Sequence, residues 1–136
     1  MQSKIIKQEV ILSCSPQTAY NAWLDSKIHG EMINAHAVID PNIGGMFSIW
    51  DDYLIGKTIE LDPKSLKIVQ EWRDTSTDWT EGHYSTITLQ FTQAKDNQTK
   101  LIFTQKGVPE KHIESIEKGW EDYYWKPMQQ YFSKQR

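Results

Sequence analysis

The sequence is poor in cysteine, with Cys14 alone among 136 residues. A single cysteine cannot form a disulfide within the chain, and without a cysteine pair there is no thiolate zinc motif. No apolar run is long enough to span a membrane, and the mean hydropathy is −0.63. Residues 1–4 lead directly into a strand pattern and lack the apolar core of a signal peptide. We therefore expect a cytoplasmic location and no membrane insertion.

Basic charge and catalytic motifs are also sparse. The formal net charge is −3 and the basic residues are scattered, which argues against nucleic acid as the main partner. There is no GxSxG nucleophile motif, no phosphate-binding glycine loop and no HExxH motif. No two of the four histidines have the helical spacing of metal ligands, and their sequence context suggests loops or helix surfaces. We expect no enzymatic activity, no cofactor and no metal site, although an enzyme that uses a cavity remains a third alternative.

Apolar and aromatic residues are plentiful for a chain of this length. Hydrophobic residues make up 38% and charged residues 24%, which is typical of one globular domain spanning residues 1–136. Six tryptophans require either a large aromatic core or an aromatic-lined site. The usual preference of aromatic side chains for burial favours the core.

The first half of the chain predicts a strand, two short helices and then more strands. Alternating apolar residues predict a strand at 5–13. Ser15 as N-cap and Pro16 at the first helical position predict a helix that ends near Asp25, which can cap a second helix ending near Asn34. Alternation and turn residues then predict an antiparallel meander with strands at 46–50, 55–61, 66–73, 86–91 and 101–103. The segment 74–82 between two of these strands reads as a polar loop.

The last part of the chain changes from a period of two to helical spacing after Pro109. This predicts one long helix over residues 110–132, whose apolar face comprises Ile113, Ile116, Trp120, Tyr124 (or Tyr123), Met128 and Tyr131. Pro127 should kink this helix, and Gly119 suggests close approach of another backbone or space for a neighbour. The predicted fold is α+β: a curved antiparallel sheet wrapped around a long C-terminal helix, with two short helices after the first strand.

Several motifs resemble the family of homologues of the activator of heat-shock protein 90 ATPase. They are Gly44-Gly45-Met46-Phe47, Glu71-Trp72-Arg73, Asp78-Trp79-Thr80-Glu81-Gly82-His83-Tyr84, Gly107-Val108-Pro109-Glu110 and Gly119-Trp120-Glu121-Asp122-Tyr123-Tyr124-Trp125-Lys126-Pro127. The resemblance implies a START-like (SRPBCC, birch-pollen-allergen-like) helix-grip fold. Members of that superfamily commonly hold apolar ligands between the sheet and the helix.

Two departures from the family pattern bear on function. Eukaryotic activators carry an additional N-terminal domain that makes much of the chaperone contact, and the resemblance covers only their C-terminal domain. Relatives often place Trp or Phe late in the second short helix, where this chain has Met32 and Ile33. The second difference should change the lining of any cavity.

The resemblance and the apolar patterns together predict binding of a small hydrophobic or amphipathic molecule between sheet and helix. The alternative is a chaperone-associated protein-interaction module with a solid aromatic core. The candidate ligand-binding residues are Met32, Gln70, Trp72, Ile87, Leu89, Phe103, Trp120, Tyr124 and Met128.

Two glutamines interrupt apolar strand faces. We expect Gln70 to be a polar anchor that contacts only water or ligand, so that Gln70→Leu would leave stability unchanged or raise it. Gln105 is predicted to lie at a strand end near solvent, because Gly107 follows it closely.

Overall fold

Seven strands form one antiparallel sheet in the computed structural model, which describes residues 5–134. The strands are β1 (Ile6–Leu12), β2 (Ala37–Ile39), β3 (Met46–Ile49), β4 (Leu54–Asp62), β5 (Lys67–Asp74), β6 (Ser85–Gln93) and β7 (Thr99–Lys106). Their order across the sheet is β1-β7-β6-β5-β4-β3-β2. Residues 1–4, on which the argument about a signal peptide depends, lie outside the described residues. The predicted fold class is confirmed.

The meander follows from alternation of buried and exposed side chains, which is regular along β5, β6 and β7. Strands that are neighbours in sequence from β2 to β7 pair with each other, and β1 pairs with β7. A register shift between Thr58 and Glu60 in β4 inserts a bulge, and bulges bend a strand and increase its twist. Strand β2 was not predicted, because three residues are too few to establish a period of two.

The two short helices lie where the capping residues predicted them. Helix α1 spans Pro16–Leu24, and the backbone N–H of Thr18 donates to the Ser15 hydroxyl at 3.2 Å. Helix α2 spans Ser26–Ile33, and the N–H of Ile28 donates to the Asp25 carboxylate at 3.0 Å. Asn34 ends α2 in the left-handed conformation, which Asn tolerates better than most residues.

The C-terminal helix is continuous but not uniform. It comprises a 3₁₀ turn at Glu110–His112, α3 at Ile113–Trp120, a π-helical segment at Glu121–Trp125, and α4 at Lys126–Lys134. Pro127 has no N–H, so the carbonyl of Tyr123 has no α-helical partner. The predicted interruption at Pro127 thus takes the form of a π segment just before it.

The π segment changes which side chains the helix buries. Tyr124 and Trp125 are both buried although they are adjacent, whereas Tyr123 is 62% exposed. A π turn returns to the same face after five residues instead of four, so Trp125 as well as Tyr124 turns back toward Trp120. The predicted apolar face is wrong at its end, where Phe132 is buried and Tyr131 only partly so.

No helix within residues 5–134 is long and apolar enough to cross a membrane.

Candidate functional site

The space between the sheet and the C-terminal helix contains a cluster of aromatic side chains. Trp120 lies at its centre, with its ring 4.5 Å from that of Phe103 and 5.3 Å from the nearly parallel ring of Trp125. The members of this aromatic cluster are Trp23, Trp72, Phe103, Trp120, Tyr124 and Trp125, none more than 5% exposed. Their rings occupy much of the region between sheet and helix where a ligand was predicted to bind.

A void next to this cluster is very small. A void of about 10 Å³ lies among Trp23, His29, Ile39, Phe47, Ile49, Gln70, Trp72 and Tyr124. Such a volume holds about one water molecule. This void among the clustered rings is therefore too small for an organic ligand.

Gln70 belongs to this core through two hydrogen bonds. The indole N–H of Trp23 donates to Gln70 Oε1 at 3.0 Å, and Gln70 Nε2 donates to the hydroxyl of Thr58 at 3.2 Å. Both partners are buried. The expectation that Gln70 contacts only water or ligand is wrong, because β4 and α1 bring partners that are distant in sequence.

Gln105 has an equivalent role beneath α3. The indole N–H of Trp120 donates to Gln105 Oε1 at 2.7 Å, and Gln105 Nε2 donates to the Ser85 hydroxyl at 2.9 Å. The predicted position near solvent is wrong: Gln105 is fully buried, because it pairs with Ile6 of β1 and Ile87 of β6. Each glutamine thus satisfies a buried tryptophan N–H, which would otherwise destabilise the core.

His29 is buried between α1 and the C-terminal helix, so its predicted surface position is wrong. Its Nδ1 lies 2.7 Å from the carbonyl oxygen of Trp23, which only accepts, so Nδ1 carries the proton. The hydroxyl of Tyr124 then donates to Nε2 at 2.9 Å. Burial lowers the pKa of His29 to about 4, against the opposing effect of the hydrogen bond to Trp23. Burial also raises the pKa of Tyr124, so both groups stay neutral near pH 7.

A cleft of about 270 Å³ opens beside this core, between the C-terminal helix and the loops that follow β3 and β5. The aromatic cleft, as we call it, is lined by Trp50, Tyr53, Leu54, Trp72, Asp74, Ser76, Thr77, Ser115, Ile116, Gly119, Trp120, Tyr123 and Tyr124. Six of these thirteen side chains are aromatic. Of the residues that the structure describes, Asp74 is the only charged one in the lining.

Trp50 reaches the cleft from an unusual backbone conformation. Trp50, Asp51 and Asp52 all have positive φ, at 53°, 51° and 72°. Each such residue costs roughly 1–2 kcal/mol relative to a right-handed conformation. The turn is held by the Ser48 hydroxyl, which donates to Asp52 Oδ1 at 2.6 Å and accepts from the Asp52 N–H.

The predicted site residues fall into three groups. Trp72, Trp120 and Tyr124 line the aromatic cleft, and Gln70 borders the small internal void. The remaining predictions are packed in the core away from the cleft: Met32, Ile87, Leu89, Phe103 and Met128. Sequence reasoning did not find Trp50, Tyr53 or Tyr123, which reach the cleft from a turn and an exposed helix face. A tryptophan just before the Asp51-Asp52 turn was the available signal for a functional loop.

Gly119 lines the cleft and does not approach another backbone. A Cβ placed there would lie 3.9 Å from Tyr123 Cδ2, which is ordinary van der Waals contact. Of the two predicted reasons for a glycine at this position, the close approach is therefore wrong.

The loop between β5 and β6, which was predicted to be polar, contains a buried tryptophan. Trp79 is 5% exposed and packs 6.0 Å from the ring of Trp72, with the Arg73 guanidinium 6.0 Å from its ring centroid. Its indole N–H has no hydrogen-bond partner among residues 5–134.

The described part of the chain contains no metal-binding cluster. Among residues 5–134, no three His, Cys, Asp or Glu side chains are placed to hold a metal ion.

The contacts of Gln70 lead to a testable prediction about stability. Gln70→Leu should lower the free energy of unfolding by about 1–3 kcal/mol, because it leaves the Trp23 N–H buried and unpaired. A urea melt measures the change, with Gln90→Leu as the control, since Gln90 bonds the exposed turn carbonyl of Ser65. A midpoint for Gln70→Leu at or above that of the wild type would contradict the structural role.

The seven-stranded antiparallel sheet that grips a C-terminal helix defines the class of START-like, helix-grip proteins. Residues 13–133 match the family described as Activator of Hsp90 ATPase homolog 1-like protein. The chain belongs to this family, and the resemblance predicted from its motifs is confirmed.

Curated relatives are similar to nearly the whole chain but are much longer. The activator of 90 kDa heat shock protein ATPase homolog 1 of Homo sapiens is 33% identical over 129 residues, which is 95% of this chain and 37% of that protein. The corresponding activator homolog of Dictyostelium discoideum is 29% identical over 118 residues. The chain spans a little over a third of the length of the human relative.

Solved structures share the fold. An HSP90 activator from Plasmodium falciparum has a TM-score of 0.78 at 27% identity, and the match covers 88% of this chain and 89% of that chain. A protein from Mesorhizobium loti has a TM-score of 0.80 at 17% identity, covering 98% and 99% of the two chains. Ara h 8.0201 has a TM-score of 0.71 at 12% identity and covers 96% and 98%. The last two show the fold alone.

Proposed function

We propose that this domain is a protein-interaction module that contacts an Hsp90-type chaperone. The observation that carries the proposal is the tightly packed aromatic cluster, within which the void beside Gln70 holds only about 10 Å³. A domain that holds a lipid or a similar ligand internally needs a cavity of several hundred Å³. The aromatic cluster instead gives a rigid scaffold, and function is then carried by the surface.

The relatives support the identity of the partner. The curated matches are named activators of 90 kDa heat shock protein ATPase, and the related Plasmodium falciparum structure is described as an HSP90 activator. The chain spans 37% of the human relative. A shared activity is therefore part of our proposal.

The hairpin of β2 and β3 is the contact surface that we propose. Val38, Ile43 and Met46 are 55–69% exposed, and all three lie on this hairpin at one edge of the sheet. Exposed apolar side chains gathered in one region are typical of protein-binding surfaces. We expect Met46→Asp to weaken chaperone binding at least tenfold, because it places a charge in an apolar contact.

Isothermal titration calorimetry with the Hsp90 of the same organism tests whether this domain binds the chaperone. The control is Ile11→Asp, since Ile11 is 44% exposed on β1 at the opposite edge of the sheet. Equal losses in both variants would reject the hairpin as the contact surface. If the wild-type chain gives no heat of binding and does not pull down the chaperone, the chaperone function is rejected.

We further predict no strong stimulation of the chaperone ATPase by this domain alone. A second linked domain raises affinity through effective concentration, and an isolated domain lacks this gain. A steady-state ATPase assay at stoichiometric protein measures the effect. An increase of several fold would overturn the prediction and would strengthen the chaperone function itself.

The aromatic cleft favours a second function that is compatible with the first, the binding of a small amphipathic molecule. Its volume of about 270 Å³ lies just under the usual range for small-molecule sites, so it suits a compact ligand or head group. Native mass spectrometry of freshly purified protein tests for a bound molecule. This function would be rejected if the mass spectrum shows only unliganded chain and if added small molecules shift no indole N–H signal in NMR spectra.

A further inference from the structure

The aromatic and charged groups that line the aromatic cleft all favour a positively charged ligand. Six of the cleft's lining residues are aromatic, and the face of an aromatic ring attracts cations. Among residues 5–134, Asp74 is the only charged residue in the lining, and none of them places a cationic side chain there. Both kinds of group therefore favour a positively charged occupant over a neutral or anionic one.

Asp74 is held in place while part of its carboxylate stays available. Oδ1 accepts from the backbone N–H of Ser76 at 2.8 Å and from its hydroxyl at 2.6 Å. Hydrogen bonds from the described part of the chain reach Oδ1 only. Asp74 is 9% exposed, and a charge partly withdrawn from water interacts more strongly with a counter-charge.

Trp50 is positioned opposite the helix at an energetic cost. Its ring lies 6.2 Å from that of Tyr123 and 6.1 Å from those of Tyr53 and Tyr124, each in an edge-to-face arrangement. The strained left-handed turn at Trp50–Asp52 persists because Ser48 and Thr75 bond to it. Such strain is commonly stored where a side chain must be presented to a ligand.

We propose that the aromatic cleft binds an organic ammonium ion, a quaternary or alkylated amine of compact size. Its alkyl groups lie against the rings of Trp50, Trp120 and Tyr123, and the positive charge is balanced by Asp74. This proposal rests on the second function proposed above and names the ligand class for that site. Recognition of this kind uses cation–π attraction together with one carboxylate.

Two isosteric probes test the charge requirement directly. Choline and 3,3-dimethylbutan-1-ol have the same shape, but the second replaces the charged nitrogen with carbon. Titrations are followed by the indole N–H signals of the tryptophans in two-dimensional NMR spectra. We expect choline to bind at least tenfold more tightly than the neutral alcohol.

Asp74→Asn keeps the Oδ1 acceptor for Ser76 and removes the charge. It should weaken choline binding about fivefold or more and leave the binding of the alcohol unchanged. The control is Asp62→Asn, since Asp62 also accepts turn N–H groups through Oδ1 but lies outside the cleft. If Asp74→Asn does not fold, Tyr123→Leu replaces an exposed ring of the lining and should also weaken choline binding several fold.

The outcomes separate this inference from the function on which it rests. Equal affinity for choline and the alcohol, or equal binding by wild type and Asp74→Asn, overturns the ammonium inference and leaves a neutral-ligand cleft. No shift with either probe overturns the ammonium inference, and it overturns the small-molecule function as well if native mass spectrometry shows only unliganded chain.

Discussion

Gly56→Ala is expected to destabilise the domain by about 3 kcal/mol or more. A Cβ at this position would lie 1.8 Å from the carbonyl oxygen of Glu71 and 2.6 Å from Phe47 Cζ. Gly56 lies on an interior strand of the sheet, paired with Phe47 on β3 and Trp72 on β5. The clash with a backbone atom cannot be relieved by a side-chain rotation, so β4 and β5 must separate, and overpacking of this kind falls at or above the usual range of about 1–3 kcal/mol.

The matched control for Gly56→Ala is Gly119→Ala. At Gly119 the nearest atom to a new Cβ is 3.9 Å away, and the position lies within a helix. Replacing a helical glycine with alanine should stabilise the domain by roughly 0.5–1 kcal/mol. Urea melts of the two variants measure both effects. A free energy of unfolding for Gly56→Ala within about 1 kcal/mol of the wild type would contradict the packing at β4.

Acidification from pH 6.5 to pH 4 should cost the domain about 3 kcal/mol through His29. Burial holds the pKa of His29 at about 4 in the folded state, below its ordinary value of 6.5. Between these values the unfolded chain binds a proton that the folded chain does not, so stability falls as pH falls. The contribution is complete above pH 6.5, is lost down to about pH 4, and amounts to about 1.4 kcal/mol per pKa unit.

His29→Gln tests the assignment, because glutamine does not titrate. This variant should be less stable at pH 7, since it cannot make both hydrogen bonds of His29, but its stability should depend less on pH between 4 and 6.5. His36→Gln is the control, because His36 is exposed and pairs with the exposed Asp51. Urea melts at pH 4.5 and pH 7 give the comparison. An equal loss of stability on acidification in wild type and His29→Gln would show that another group is responsible.

The helix caps and the strand alternation were predictable because each depends on residues close in sequence. Ser15 and Asp25 accept hydrogen bonds from residues three positions later. The C-terminal helix was predictable for the same reason, since its apolar spacing is local. The π segment was not, because Pro127 allowed a kink as readily as an inserted turn.

The structure places three of the nine predicted ligand-binding residues along the cleft, namely Trp72, Trp120 and Tyr124. Their role in binding stays a prediction. How far the region between sheet and helix is filled depends on Trp23, which approaches from α1, and on Trp125, which the π segment turns inward. A sequence pattern indicates which face of an element is apolar, but it does not give the volume left between two such faces.

The sequence by itself determined the family, the order of the elements apart from β2, and the apolar face of the first part of the last helix, because motifs, caps and periodicity act over a few residues. Only the tertiary structure decided the roles of Gln70, Gln105 and His29. Their partners Trp23, Trp120 and Tyr124 are brought to them by chain folding over distances of 15 to 95 residues in sequence, apart from the local Trp23–His29 bond. A buried amide or imidazole is stabilised or destabilised by what lies within about 3 Å of it, and that neighbourhood exists only after the sheet closes on the helix.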